Sequence, residues 1–128
     1  MKYYFNKIID KPFAEAVEAV RAAGKVEGFG VLTEIDVKAT LKNKLDVDFR
    51  NYVILGFCNP RYAYKALLAE DKIGTMLPCS VIVQETDDGK SEVAAIDPVA
   101  SMMAIEYSAL GDIAKEVRAK LERVVESL

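Results

Sequence analysis

The sequence predicts an α+β domain: a mainly antiparallel sheet with helices packed on one face, in the order β-α-β-α-β-α-β-β-α. Three observations predict it. Asp88-Gly89 stands between two β-branched runs, and Asp-Gly marks a hairpin because glycine accepts the positive φ of the turn. Ile113, Val117, Leu121, Val124 and Leu128 recur at helical spacing among charged residues, which is an amphipathic closing helix. The remaining helical segments are interspersed with strands, and a hairpin within such a series favours an α+β sheet over a strictly parallel one.

Each element has its own signal. Tyr3 to Ile9 is aromatic and β-branched, a first strand. Asp10 and Pro12 mark a helix start, and Phe13, Val17, Val20 and Ala23, with Ala16 and Ala19 beside them, give that helix one apolar face. Gly24 and then Gly28-Phe29-Gly30 end it. Val31 to Val37 alternates, with Val31, Thr33, Ile35 and Val37 facing one way and Leu32, Glu34 and Asp36 the other, the pattern of a half-buried strand. Thr40 to Leu45 carries Leu41 and Leu45 four apart, a brief helix.

Tyr52 to Phe57 is continuously apolar except for Gly56, which suits a strand in the middle of the sheet covered on both faces. Asn59 is a good N-cap and Pro60 fits the first helical position, so a helix runs on through Ala63, Ala66 and Leu67. Val81 to Glu85 and Ser91 to Ile96 are the hairpin strands, joined through Asp87-Asp88-Gly89-Lys90. On the last helix Lys115, Glu116, Arg118, Lys120, Glu122 and Arg123 take the solvent side, with Glu116 and Lys120 spaced to pair.

Composition narrows the function mainly by exclusion. The 128 residues are 52% hydrophobic and 29% charged, with no repeat, linker or break in composition, and read as a single domain over 1–128. There is no histidine, which removes Ser-His-Asp and Cys-His catalysis, histidine metal sites and an imidazole proton shuttle. Lys38, Lys42 and Lys44 form the densest basic stretch, but Glu34, Asp36, Asp46 and Asp48 flank it. A mixed-sign surface on a chain of net charge −3 is no footprint for phosphate, so no nucleic-acid partner is expected. No apolar run approaches the ~20 residues of a membrane span, and the first residues lack the apolar core of a signal peptide. A cytoplasmic location without membrane contact follows as the expectation.

Cys58 and Cys79 are the only thiols and lie 21 positions apart, a spacing of neither a CxxC redox motif nor a zinc pair. Free thiols are expected in a reducing cytoplasm, with no metal and no cofactor. Cys58 nevertheless stands where a strand ends and a helix begins, in Gly56-Phe57-Cys58-Asn59-Pro60, and the helix dipole there favours thiolate. Met76-Leu77-Pro78-Cys79 opens the hairpin's first strand, and if the two strands are neighbours the thiols come within reach. Against this stands the plain reading that both cysteines fill space beside apolar segments, which carries more weight.

Glu34 and Asp36 share one face of a strand, as an acid/base pair or a hard-cation site would. Ion pairing with Lys38 and Lys42, or a solvated face, is the favoured reading. Gly28-Phe29-Gly30 resembles a phosphate loop but precedes a strand instead of opening a helix, and is rejected. Tyr62 and Tyr64, two apart on a helix, cannot share a face, so at least one is exposed.

Four stretches in this order carry a resemblance: Gly28-Phe29-Gly30-Val31-Leu32-Thr33-Glu34-Ile35-Asp36-Val37, Ile54-Leu55-Gly56-Phe57-Cys58-Asn59-Pro60, Leu77-Pro78-Cys79 and Asp97-Pro98. Together they resemble the bacterial and archaeal domain-of-unknown-function family numbered 302, from about Tyr3 to the final helix. The resemblance implies a small α+β domain with an antiparallel sheet and packed helices, and it implies no reaction. Where that pattern often has Asn after the second cysteine, this chain has Ser80. With no complete catalytic set, enzyme activity is not expected. The reading is a small soluble domain that self-associates as a homodimer and binds a partner or small-molecule ligand, its candidate residues being Cys58, Asn59, Cys79, Glu34 and Asp36. The alternative is a thiol-based redox or ligand sensor, with Cys58 reactive and Cys79 resolving.

Overall fold

Local signals decide most element boundaries in the computed structural model, which describes residues 2–102 and 108–128. Strand β1 spans Tyr4–Ile9, helix α1 Phe13–Val26, β2 Gly30–Asp36 and α2 Val37–Leu45. Strand β3 spans Tyr52–Cys58, and α3 runs over Pro60–Ala69 with Pro60 in its first turn. A 3-10 turn over Asp71–Met76 leads to the hairpin strands β4 (Cys79–Glu85) and β5 (Ser91–Ile96). One helical turn, α4 (Pro98–Ser101), and the long α5 (Ser108–Glu126) follow. The expected α+β order therefore stands, with the 3-10 turn and α4 added.

The sheet has the order β1-β5-β4-β3-β2, and each neighbouring pair is antiparallel. The hairpin turn closes as expected. Gly89 takes φ +81, and the Thr86 hydroxyl donates to Asp88 Oδ1 at 2.5 Å. Helices α1 and α5 pack on one face. Val17 and Val20 of α1 and Val117, Leu121 and Val124 of α5 meet Val53, Leu55 and Phe57 of β3, Val81 and Val83 of β4, and Val93 and Ala95 of β5. The stripe read in the last helix is thus the one that is buried, at a gain of roughly 1.5–3 kcal/mol for each large apolar side chain covered.

Four expectations are corrected. Gly24 does not end α1; it lies buried inside the helix, where the Phe57 ring occupies the place a Cβ would take. The segment from Val31 is not half-buried, because β2 is the sheet edge. Leu32 is 68% exposed and Ile35 48%, a bulge interrupts the register between Val31 and Thr33, and the strand stops at Asp36. α2 starts at Val37, earlier than the pattern of its leucines suggests, because Asp36 caps it: its carboxylate accepts the Ala39 N–H at 3.0 Å. Finally, β3 is an interior strand but is covered by the described residues on one face only. Val53, Leu55 and Phe57 are buried, while Tyr52 and Ile54 are half-exposed on the other side.

Candidate functional site

At the end of the sheet where β3 stops and β4 starts, the backbone pairing Phe57↔Cys79 sets Cys58 beside the strand that carries Cys79. The two thiols line one cavity of about 320 Å3. Its floor is Phe57 and Phe29, one side is α3 through Tyr62, Ala63, Ala66 and Leu67, and the other is α5 through Ile113, Ala114 and Val117. Gly74 of the 3-10 turn, the Leu77-Pro78 segment (joined by a cis peptide) and Pro98 with Met102 close the rest.

The space follows from which residues face it. Ala66, Ile73 and Leu110 form a small cluster of their own, apart from the main core under the sheet. Small residues (Ala63, Ala66, Gly74 and Ala114) line the gap between the two clusters, so their side chains do not fill it. Asn59 and Tyr62 bring the polar side chains of the wall.

Asn59 is the N-cap residue of α3, as expected, but its side chain does not cap. Its Nδ2 donates instead to the carbonyl oxygen of Glu27 at 3.3 Å, across the turn that leads into β2. Gly28 occupies that turn at φ +88, a conformation L side chains rarely adopt, with the Asn59 amide 3.1 Å from where a Cβ would lie. Arg123 of α5 pairs with the Glu27 carboxylate at 3.0 Å, so the turn is tied to both α3 and α5. Tyr62 is half-buried and Tyr64 is 65% exposed, as their spacing required. A hydrogen bond to Glu116 holds the Tyr62 phenol above its ordinary value.

Both thiols are free. The helix dipole beside Cys58 suggested a lowered pKa, and the structure reverses that. Burial raises the Cys58 thiol, and it pushes Cys79 up to about 11, with the neighbouring Cys58 adding to the rise. Loss of hydration disfavours the thiolate at both sites. At neutral pH the cavity wall therefore carries two S–H groups and no thiolate.

Glu34 and Asp36 are not brought to the cavity. They lie across the sheet edge opposite Leu55 and Val53, on the same face as expected, but each has another use. Glu34 pairs with Arg21 of α1 at 2.8 Å, and Asp36 caps α2. Neither pairs with Lys38 or Lys42; Lys42 reaches Asp46 at 2.9 Å and Asp48 at 3.6 Å. Among the described residues no group of three or more cysteines and carboxylates is placed to hold a metal ion.

Sequence reasoning missed most of the wall. Phe57, Ala66, Ile113 and Val117 read as ordinary core, and nothing in one dimension separates a residue facing a cavity from one facing another side chain. It also missed Asp97, which is buried, accepts the Val99 N–H at 3.0 Å and pairs with Arg118 at 3.1 Å. The Asp97-Pro98 step signals that helix start.

These observations define the class: an antiparallel sheet with helices on one face, holding a thiol-lined apolar cavity. Residues 5–128 match the family described as Domain of unknown function DUF302, and the chain belongs to that family. It is similar to an uncharacterized conserved protein DUF302 from Bacillus stearothermophilus, whose crystal structure superposes with a TM-score of 0.90 at 27% identity, over 98% of each chain. The fold that the four stretches implied is thereby confirmed. No curated protein matches the chain. Among the described residues no helix is long and apolar enough to cross a membrane.

Proposed function

We propose that this chain is a single-domain, non-catalytic binding protein that takes up a small, mainly apolar molecule in the cavity between α3, α5 and the end of the sheet, and that it self-associates. The cavity carries the reading. Its volume of about 320 Å3 is that of a small-molecule site, and its wall is apolar, with the Asn59 amide and Tyr62 as polar handles to orient a ligand. Cys58, Asn59 and Cys79 are the proposed contact residues. Glu34 and Asp36 act in the architecture of the β2 edge. The two neutral thiols suit a reducing, cytoplasmic setting.

Fluorescence of anilinonaphthalene sulfonate, an apolar probe, tests the cavity. Saturable binding at one site per chain is expected, weakened at least ~10-fold when the wall is filled by Ala63→Phe while the fold is retained. Binding that Ala63→Phe leaves unchanged, or none at all, sinks the reading.

The competing reading is a thiol sensor with Cys58 as the reactive group and Cys79 as its resolving partner. Their sharing one cavity wall favours it, and the raised thiols oppose it, since the thiolate is the nucleophile.

A further inference from the structure

The sheet has two faces, and the described residues cover one. On the uncovered face the strand register lines up a row across the sheet: Ile35 of β2, Ile54 of β3, Ile82 of β4 and Ala94 of β5, ending at Asn6 of β1. An antiparallel sheet that faces water usually turns polar side chains outward, whereas strands apolar on both sides belong to sheets covered twice. Val53-Ile54-Leu55 and Val81-Ile82-Val83 are apolar on both sides, yet Ile54 and Ile82 remain half-exposed. The strands are built for a second cover that the described residues do not supply.

We propose that this face is covered by a second copy of the chain, packed sheet to sheet about a two-fold axis. The inference rests on the self-association proposed above and names its surface. Area is the first support. Five strands ~4.8 Å apart, with two or three outward residues along each, make a face of up to about 24 by 20 Å, so two copies together remove up to about 1,000 Å2 from water, the lower end of what a specific association buries.

Charge is the second. Glu92 is an acidic side chain on this face, and its donors are neutral. It accepts hydrogen bonds from Asn6 and Gln84, both at 2.9 Å, and Gln84 in turn accepts one from Arg50 at 2.8 Å. A cation that offsets this carboxylate on burial therefore has to come with the cover, and Arg50 at the rim of the same face is the one a second copy brings.

Shape is the third. A two-fold axis along β4 sets Ile82 against its own copy and places Ile54 over the partner's Ala94, large against small, as interdigitating sheets require. The area, the Arg50 that a copy brings to Glu92, and this fit are the grounds for a second copy over an unrelated partner.

Light scattering coupled to size-exclusion chromatography tests the inference. The wild-type chain is expected at twice the chain mass at about 10–100 µM, and Ile82→Arg at the single mass with circular dichroism unchanged, a rise in Kd of at least ~100-fold. Leu68→Arg, at a 70% exposed residue of α3 outside the row across the sheet, is expected to leave the dimer intact. Methyl spectra of the wild type need no variant: on dilution Ile35, Ile54 and Ile82 should shift and the buried Ile73 should not. A wild-type chain that stays monomeric overturns self-association itself. A dimer that survives Ile82→Arg, or that dissociates with no shift at Ile54 and Ile82, overturns the sheet face alone.

Discussion

Along the middle of the sheet the two faces carry similar apolar residues that meet opposite fates. Toward the helices, Leu55, Val81, Val83, Val93 and Ala95 are fully buried; one residue along each strand, Ile54, Ile82, Ala94 and Ile96 remain half-exposed. Side-chain type does not separate these sets, so burial here is a property of the cover. The inner face is closed by α1 and α5, whose stripes of Val and Leu were available in the same chain. The outer face keeps apolar residues of its own, and among the described residues no helix buries them. A strand's hydrophobicity states what it is made to contact, and it takes the rest of the chain to show whether that contact is internal.

Paired truncations sharpen the contrast most. Leu55→Ala should cost about 3–4 kcal/mol in urea unfolding, because it opens a cavity among fixed neighbours. Ile54→Ala, measured at concentrations low enough to keep the chain monomeric, should cost about 1 kcal/mol or less, since water already reaches that side chain. Equal costs would mean that the outer face is buried in the isolated chain and would break the comparison.

The inner-face thiol gives the next largest effect. Cys79 holds its proton up to about pH 11 when folded, against roughly 8.5 in an unfolded chain, so its contribution is fully present below pH 8.5 and is lost as pH rises toward 11. The stability advantage of the wild type over Cys79→Ala should shrink by up to about 3 kcal/mol across that window, with other titrations cancelling between the two proteins. A flat difference would mean that Cys79 is solvated. In the same preparations alkylation of Cys58 at pH 7 should be slow; fast alkylation would favour the thiol-sensing reading.

The smallest effect belongs to the edge. Glu34 points to the helix side but lies on β2, where its partner Arg21 is also reached by water, so Glu34→Gln should change stability by less than about 1 kcal/mol. A larger loss would show that the edge shares the packing of the centre.

These particulars also show what one dimension could and could not convey. The closing helix and the Asp88-Gly89 hairpin were legible because each is a local pattern, a stripe at one period or a dipeptide with one preferred turn. The approach of Cys58 to Cys79 was legible as a condition, since it needed only that their strands be neighbours. The edge position of β2 was not, because Val31, Thr33 and Ile35 alternate as they would in a covered strand and neighbour order is decided elsewhere. Gly24 misled for a related reason: glycine ends helices often, but here its missing side chain admits the Phe57 ring. The cavity was least legible, because α3, α5, the 3-10 turn and two strand ends each contribute part of its wall.

The pairing of β1 with β5 joins Ile9 to Ser91, about eighty residues further along. During synthesis β1 emerges long before its partner strand exists. Until then a short segment with Phe5, Ile8 and Ile9 has no strand to hydrogen-bond, and it is open to a holding chaperone.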